Sequence, residues 1–167
     1  ENSDANLLQI MANIASQISQ FIQRKQAERD VRESDTRKSA ILESALDCII
    51  TINHEGKVLE FNPAAEKTFG YTREEATGQL MGDLIVPPKF RQLHNQGLKN
   101  YLNTGDHKVL GQRIEIIGMR KDGTEFPVEL AITPIFLPDS MPMFTGYLRD
   151  ITERKVAEEE LRQAKEE

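Results

Sequence analysis

Histidine and cysteine commonly serve as proton carriers, nucleophiles and metal ligands in proteins, and this chain has three histidines and one cysteine. His54 falls in a predicted hairpin turn and His107 in a predicted loop, so we expect both in solvent. Cys48 opens a predicted strand directly after a helix, a position typical of a small core residue. No phosphate-binding loop, zinc-ligand spacing or clustered acidic pair accompanies them. We therefore expect no catalytic activity and no metal site within this chain.

The composition narrows the classes of partner. A formal net charge of -6 without a basic stripe argues against nucleic acid, because phosphates would be repelled. A single cysteine excludes an intrachain disulfide framework and is typical of a reducing compartment. The sequence has no apolar run of membrane-span length and no secretory signal pattern, so we expect a cytoplasmic location.

The first 38 residues predict a helical linker with a dimerisation seam. Apolar residues alternate at spacings of four and three, which is the pattern of a helix that packs on a partner helix. The seam consists of Leu7, Met11, Ile14, Ile18 and Phe21. Residues 23–38 are almost wholly polar, and Ser34 or Asp35 is a candidate cap at which the helix would be interrupted. We expect a second helix at Ser39–Leu46.

The spacing of the apolar residues then changes from a helical pattern to that of strands. The segment "CIITINHEGKVLEFN" predicts two strands joined by a turn at His54-Glu55-Gly56, and Asn62 is placed to cap a helix that begins at Pro63. Short helices follow, then a longer one in "PKFRQLHNQGLKNYLNTG", then three strands up to "MFTGYLRDIT". This order predicts an α+β domain with one antiparallel sheet.

Three ordered motifs in this region resemble a PAS domain. They are "ILESALDCIITINHEGKVLEFNPAAEKTFGYTREEATGQ", "GMRKDGTEFPVEL" and "GYLRDITERK". The resemblance implies a PAS fold at residues 39–152, with a five-stranded antiparallel sheet and short helices on one face. Coiled-coil-like helices would flank it, at residues 1–38 and from residue 153 to the end at 167. The segment "NIASQISQFIQRKQAE" also resembles the closing helix of a GAF domain.

The end of the last strand is the predicted relay site. Asp150 and Thr152 bracket Ile151 where the sheet ends and a helix begins, so their side chains can bond the free backbone groups there. This is a helix cap on physical grounds alone. The resemblance adds that the same junction transmits movement of the sheet into the outgoing helix.

The resemblance also implies a cupped sheet closed by helices, and hence a pocket. We expect it to be lined by Ile50, Ile52, Phe61, Leu84, Leu93, Ile116, Leu130 and Phe144. The pocket would hold a small apolar ligand or only side chains, and both alternatives stay open. A flavin is not expected, because the chain lacks tryptophan and its cysteine is not in the helix that photoactive flavin domains use.

Haem is the other cofactor alternative. His94 resembles the proximal ligand of oxygen-sensing haem PAS domains, and an imidazole there could hold iron. Against haem, Ile114 stands where those sensors carry a ligand-stabilising arginine, and Arg113 next to it would point to the other face of the strand. A cofactor-free core is therefore the preferred expectation.

The function implied is that of a PAS sensory and dimerisation module in a multidomain signalling protein. We expect a homodimer through the N-terminal helices and a downstream effector in the same chain, with a sensor histidine kinase of a two-component system as the expected parent. The alternatives are a haem-binding gas or redox sensor, and a ligand-free structural dimeriser in a diguanylate cyclase.

Overall fold

The computed structural model describes residues 2–105 and 109–166, and the chain divides into two units, Glu1–Ile41 and Leu42–Glu167. The first unit consists of helix α1 (Asn2–Ser44) up to Ile41. In the described ranges, no helix combines the length and the apolar character needed to cross a membrane.

Helix α1 is continuous, so the predicted interruption at Ser34 or Asp35 and the separate helix at Ser39–Leu46 are wrong. Residues 2–44 contain neither glycine nor proline, and capping residues remain helical when nothing else breaks the backbone pattern. Thr36 Oγ1 bonds within the helix, donating to the Arg32 carbonyl at 2.8 Å.

The second unit follows the predicted order of strands and helices. Its elements are β1 (Cys48–Ile52), β2 (Val58–Phe61), α2 (Pro63–Phe69), α3 (Arg73–Ala76), α4 (Met81–Ile85), α5 (Pro88–Thr104), β3 (Arg113–Met119), β4 (Glu125–Ile135), β5 (Met143–Asp150) and α6 (Thr152–Glu166). The described strands form one five-stranded sheet in the order β2-β1-β5-β4-β3, with antiparallel neighbours. The prediction of an α+β domain with one five-stranded antiparallel sheet is confirmed.

The turn between β1 and β2 forms where its residue types predict. Asn53 Oδ1 accepts hydrogen bonds from the Glu55 and Lys57 amides at 3.0 and 2.9 Å. Gly56 has φ of 84°, a left-handed conformation that glycine adopts without strain. The turn thereby brings β2 back beside β1.

The core lies between the sheet and helices α2 to α5. Every second residue of β1 contributes to it, and so do the facing positions of β4 and β5. Phe61, Phe69, Val58 and Val128 are among the largest fully buried side chains. Burial of each such side chain stabilises the domain by about 1.5–3 kcal/mol.

Asn62 joins four parts of this unit from a buried position, with only 3% of its surface exposed. Its Oδ1 accepts from the Ile49 amide at 2.8 Å and from the Ala65 amide at 3.0 Å, the second of which caps α2 as predicted. Its Nδ2 donates to the carbonyls of Leu42 at 3.2 Å and Asp47 at 3.0 Å. We call this group the Asn62 hub; it ties the segment before β1 to the start of α2.

Candidate functional site

The last strand and the outgoing helix are joined by a compact cap. Asp150 ends β5, and its Oδ1 accepts from the Thr152 amide at 2.9 Å and from Thr152 Oγ1 at 2.5 Å. Between them, Ile151 is buried, and its amide donates to the Pro127 carbonyl on β4 at 3.1 Å. The start of α6 is thus fixed to the ends of β4 and β5 by the polar contact of Thr152 and by the buried Ile151 before it.

Arg120, in the turn between β3 and β4, extends this cap into the core. Its Nη2 donates to Asp150 Oδ2 at 2.5 Å, and its Nη1 donates to the Thr68 carbonyl near the end of α2. The guanidinium lies 3.7 Å from the ring centroid of Phe126, close enough for a cation–π contact. Arg120 therefore contacts α2, the core and the start of α6 at once.

The neighbouring residue supports the same connection. The Lys121 amide donates to the Phe69 carbonyl at 2.8 Å, so the turn satisfies backbone carbonyls at the end of α2. Lys121 Nζ also reaches Glu75 at 2.7 Å on α3. We call Asp150, Ile151, Thr152 and Arg120 the exit junction. It forms a continuous chain of contacts from α2 to α6.

The charges at the exit junction favour an ionised Asp150. Burial raises the pKa of its carboxyl, but the hydrogen bonds from Thr152 and Arg120 together outweigh burial, so the pKa lies below the ordinary aspartate value. Arg120 and Asp150 keep 29% and 31% of their side-chain surface exposed. Water therefore screens the pair in part, and its net contribution is modest.

The expected pocket residues divide into three groups. Four of them, Ile50, Ile52, Phe61 and Phe144, are buried in the core. Three more, Leu84, Ile116 and Leu130, are partly buried and pack against it.

Leu93 does not line the core, which corrects the expectation. It is 71% exposed, because α5 packs inward through Leu98, Tyr101 and Leu102, and Leu93 lies on another side of the helix.

His94 lies half-buried on α5 beside α4 rather than over an open space. A Cβ added to Gly82 of α4 would lie 3.2 Å from His94 Nδ1, which shows how closely the two helices approach. His94 Nδ1 is also 3.3 Å from Asn95 Oδ1. The half-buried ring therefore lies beside Gly82 of α4.

Helix α5 packs directly on the sheet beside His94. Tyr101 of α5 meets Phe144 of β5 edge-on, with ring centroids 5.2 Å apart, so the helix packs directly on the strand. On β3, Ile114 pairs with Leu130 of the core-facing set, whereas Arg113 forms an ion pair with Glu129 at 3.7 Å on the opposite face.

His54 and Cys48 are not among the residues of the exit junction. Burial raises the pKa of the Cys48 thiol, so the reactive thiolate is disfavoured. His54 lies in the turn between β1 and β2. His107 lies outside the described residues.

The predicted dimerisation seam is exposed within α1. Its five residues, Leu7, Met11, Ile14, Ile18 and Phe21, are between 50% and 62% exposed.

Sequence reasoning missed Arg120 and the wider role of Asn62. Arg120 lies in the quoted Arg-x-Asp-Gly turn, but its partners are 52 and 30 residues away along the chain. The sequence shows that Arg120 is a basic residue in a tight turn, but this does not identify Thr68 and Asp150 as its partners.

Comparison with known families and proteins agrees with this geometry. The model of the PAS domain family matches residues 46–153. A crystal structure of a PAS domain from Colwellia psychrerythraea superposes with a TM-score of 0.58 and 25% sequence identity. That match covers 71% of this chain and 97% of that domain.

Two curated relatives are signalling proteins. The chain is 33% identical over 143 residues to the sensor protein FixL of Bradyrhizobium diazoefficiens, covering 86% of this chain and 28% of FixL. It is 34% identical over 127 residues to the cell-division control histidine kinase PdhS of Brucella ovis, covering 76% of this chain and 12% of PdhS. The chain thus spans less than a third of either relative.

Proposed function

This chain belongs to the PAS domain family, and we propose that it is the sensory and dimerisation module of a sensor histidine kinase. The observation that carries the proposal is the chain of contacts at the exit junction, from the Thr68 carbonyl through Arg120 and Asp150 to Thr152. The similarity to PdhS, which is named as a histidine kinase, supports a histidine kinase as the output domain. The module itself is sensory, and the phosphotransfer would come from a domain attached after α6.

In this proposal, a change in core packing reaches α6 through Arg120. The guanidinium packs on Phe126, and it also bonds Asp150. A shift of Phe126 or of the end of α2 would therefore move the carboxylate that caps α6. Two discrete arrangements of this ion pair, rather than a continuous deformation, would give the helix two positions.

The core is proposed to act without haem, with its space filled by side chains or a small apolar ligand. The contact of Tyr101 with Phe144 supports this view. Titration of the purified chain with haem should give no Soret band of protein-bound haem, distinct from that of free haem. A Soret band that is lost in His94→Ala would contradict the proposal and favour a gas or redox sensor.

Dimerisation is proposed to occur through α1 of two copies. The seam residues are apolar and exposed in the single chain, and pairing would bury them at about 25 cal/mol per Å². Ile14→Glu combined with Ile18→Glu should give monomers in sedimentation. Asn13→Glu with Gln20→Glu, on the other side of the helix, is the matched control and should stay dimeric. A dimeric Ile14→Glu, Ile18→Glu variant would contradict the seam.

The relay is tested with a histidine kinase domain attached after Glu167. Gly118→Ala perturbs the core without a ligand, because the added Cβ would lie 2.9 Å from Val128 Cγ2. It should change the autophosphorylation rate several-fold when the exit junction is intact. It should have a much smaller effect when Asp150→Ala is also present. Asp83→Ala, an exposed aspartate on α4, is the control and should leave the response unchanged. An equal response in both backgrounds would contradict the relay.

A further inference from the structure

Two glutamates face each other on the side of the sheet away from the core. Glu115 of β3 and Glu129 of β4 are register partners, so their carboxylates lie directly across the strand pair. Like charges at such positions repel and destabilise the pair. Glu129 is the less exposed of the two, with 19% of its side chain in contact with solvent. This arrangement is favourable only if cations lie beside it.

The closest cations come from the outgoing helix. Arg154 Nη2 is 2.8 Å from Glu115 Oε1, and its Nη1 is 3.3 Å from Glu129 Oε2, so one guanidinium bridges both acids. Lys155 Nζ is 2.5 Å from Glu115 Oε2. The hydrogen bond from Lys155 is the main reason that the pKa of Glu115 is lowered. Arg113, from the sheet itself, reaches Glu129 only at 3.7 Å.

Apolar packing does not hold the body of α6 against the sheet. Its larger apolar side chains, Val156 and Leu161, are 52% and 58% exposed. Contacts of α6 beyond the buried Ile151 are therefore mainly ionic in its first turns. The helix is attached at two places, first to Asp150 through Thr152 and then to the acidic pair through Arg154 and Lys155.

We propose that Glu115 and Glu129 are the positioning residues that set where the outgoing helix lies against the sheet. The proposal rests on the proposed relay through α6 and adds the groups that define one of its two positions. Exposed ion pairs are weak individually and are screened by salt. The helix can therefore leave this position without loss of the core. When it leaves, the acid pair regains its repulsion, which favours return.

The test is amide hydrogen exchange of residues 153–160 in the present chain, followed by mass spectrometry. Glu115→Lys should accelerate exchange there about fivefold to tenfold, because the attractions of Glu115 for Arg154 and Lys155 become repulsions. Adding Lys155→Glu should restore slow exchange, because positions 115 and 155 then again carry opposite charges, with their signs exchanged. Raising the salt concentration should accelerate exchange in the wild type and have less effect in Glu115→Lys.

The matched control is Glu125→Lys, which breaks the surface pair of Glu125 with Lys89 on α5, away from α6. It should leave exchange of residues 153–160 unchanged. If Glu115→Lys fails to fold, Arg154→Gln tests the same contact from the helix side and should also accelerate exchange.

Unchanged exchange in Glu115→Lys or in Arg154→Gln, or no restoration by Lys155→Glu, would overturn the inference. These measurements use no output domain. A kinase that ignores the core while exchange behaves as expected would contradict the proposed relay alone.

Discussion

The Asn62 hub and the exit junction perform the same structural task with different chemistry. Each uses one side chain to join backbone segments at the point where a helix meets the sheet. Asn62 is neutral, buried and bonded to four backbone groups. Asp150 is charged and partly exposed, and it is bonded to Thr152 and Arg120. The hub, which follows β2, ties the start of α2 to the segment before β1, and the exit junction follows the last strand.

This difference indicates which connection can move. Opening the Asn62 hub would leave buried polar groups without partners, which costs far more than opening a bond that water can replace. Opening the exit junction exposes a carboxylate and a guanidinium that are already partly hydrated. The fold therefore depends on the Asn62 hub, while the exit junction is weak enough to change between two arrangements.

The largest expected effect comes from breaking the hub. Asn62→Ala removes its side-chain hydrogen bonds in a buried site, and we expect the free energy of unfolding to fall by about 2–4 kcal/mol. Asn62→Asp should also destabilise, because a carboxylate cannot donate to the carbonyls of Leu42 and Asp47. Urea denaturation measures both.

Asn103→Ala is the matched control, since Asn103 is an exposed residue of α5. It should change the free energy of unfolding by no more than about 0.5 kcal/mol. An Asn62→Ala variant as stable as this control would remove the contrast between hub and junction.

A smaller effect is expected at the exit junction. Asp150→Ala removes the cap of α6 and should lower the free energy of unfolding by about 1 kcal/mol, with the core still folded. Thermal unfolding monitored by circular dichroism measures this. If Asp150→Ala lowered the free energy of unfolding as much as Asn62→Ala, the fold would depend on the exit junction as strongly as on the Asn62 hub.

The smallest expected effect is a pH dependence confined to the junction. Asp150→Asn keeps an acceptor for Thr152 but loses the charge that faces Arg120. Because the pKa of Asp150 is lowered in the folded state, its charge stabilises the fold above the ordinary aspartate value of 3.8. The stability difference between wild type and Asp150→Asn should therefore be constant from pH 5 to 8, on the order of 1 kcal/mol or less, and shrink as the pH falls below that value. Denaturant titrations at each pH measure it.

The corresponding difference for Asn62→Ala should not follow this trend, since the amide does not titrate. If the Asp150→Asn difference stayed constant down to pH 2, the charge of Asp150 would have no role in the junction.

Local sequence patterns predicted the strands, the hairpin and the cap by Asn62, because each depends on residues close together in the chain, whereas the five-stranded sheet was implied by the resemblance to a PAS domain. Contacts across long separations could not be predicted in this way. Glu115 and Glu129 oppose each other only through the register of β3 and β4. Arg120, in the turn between β3 and β4, contacts Asp150 only when β4 has paired with β5. The resemblance to a PAS domain implied that Leu93 lines the pocket, but the side of α5 that faces the core is set by packing with the sheet, and Leu93 is exposed.

The most direct test asks whether a disturbance of the core reaches α6 through Asp150. Two-dimensional NMR of the isolated chain compares the amide signals of residues 153–165 with and without Gly118→Ala, which crowds Val128. We predict that Gly118→Ala shifts these signals strongly when Asp150 is present and much less in the Asp150→Ala background, where the ion pairs of Arg154 and Lys155 still join α6 to the sheet, while the sheet signals respond in both. Equal shifts of the α6 signals in both backgrounds would show that the disturbance travels by another route and would contradict the account.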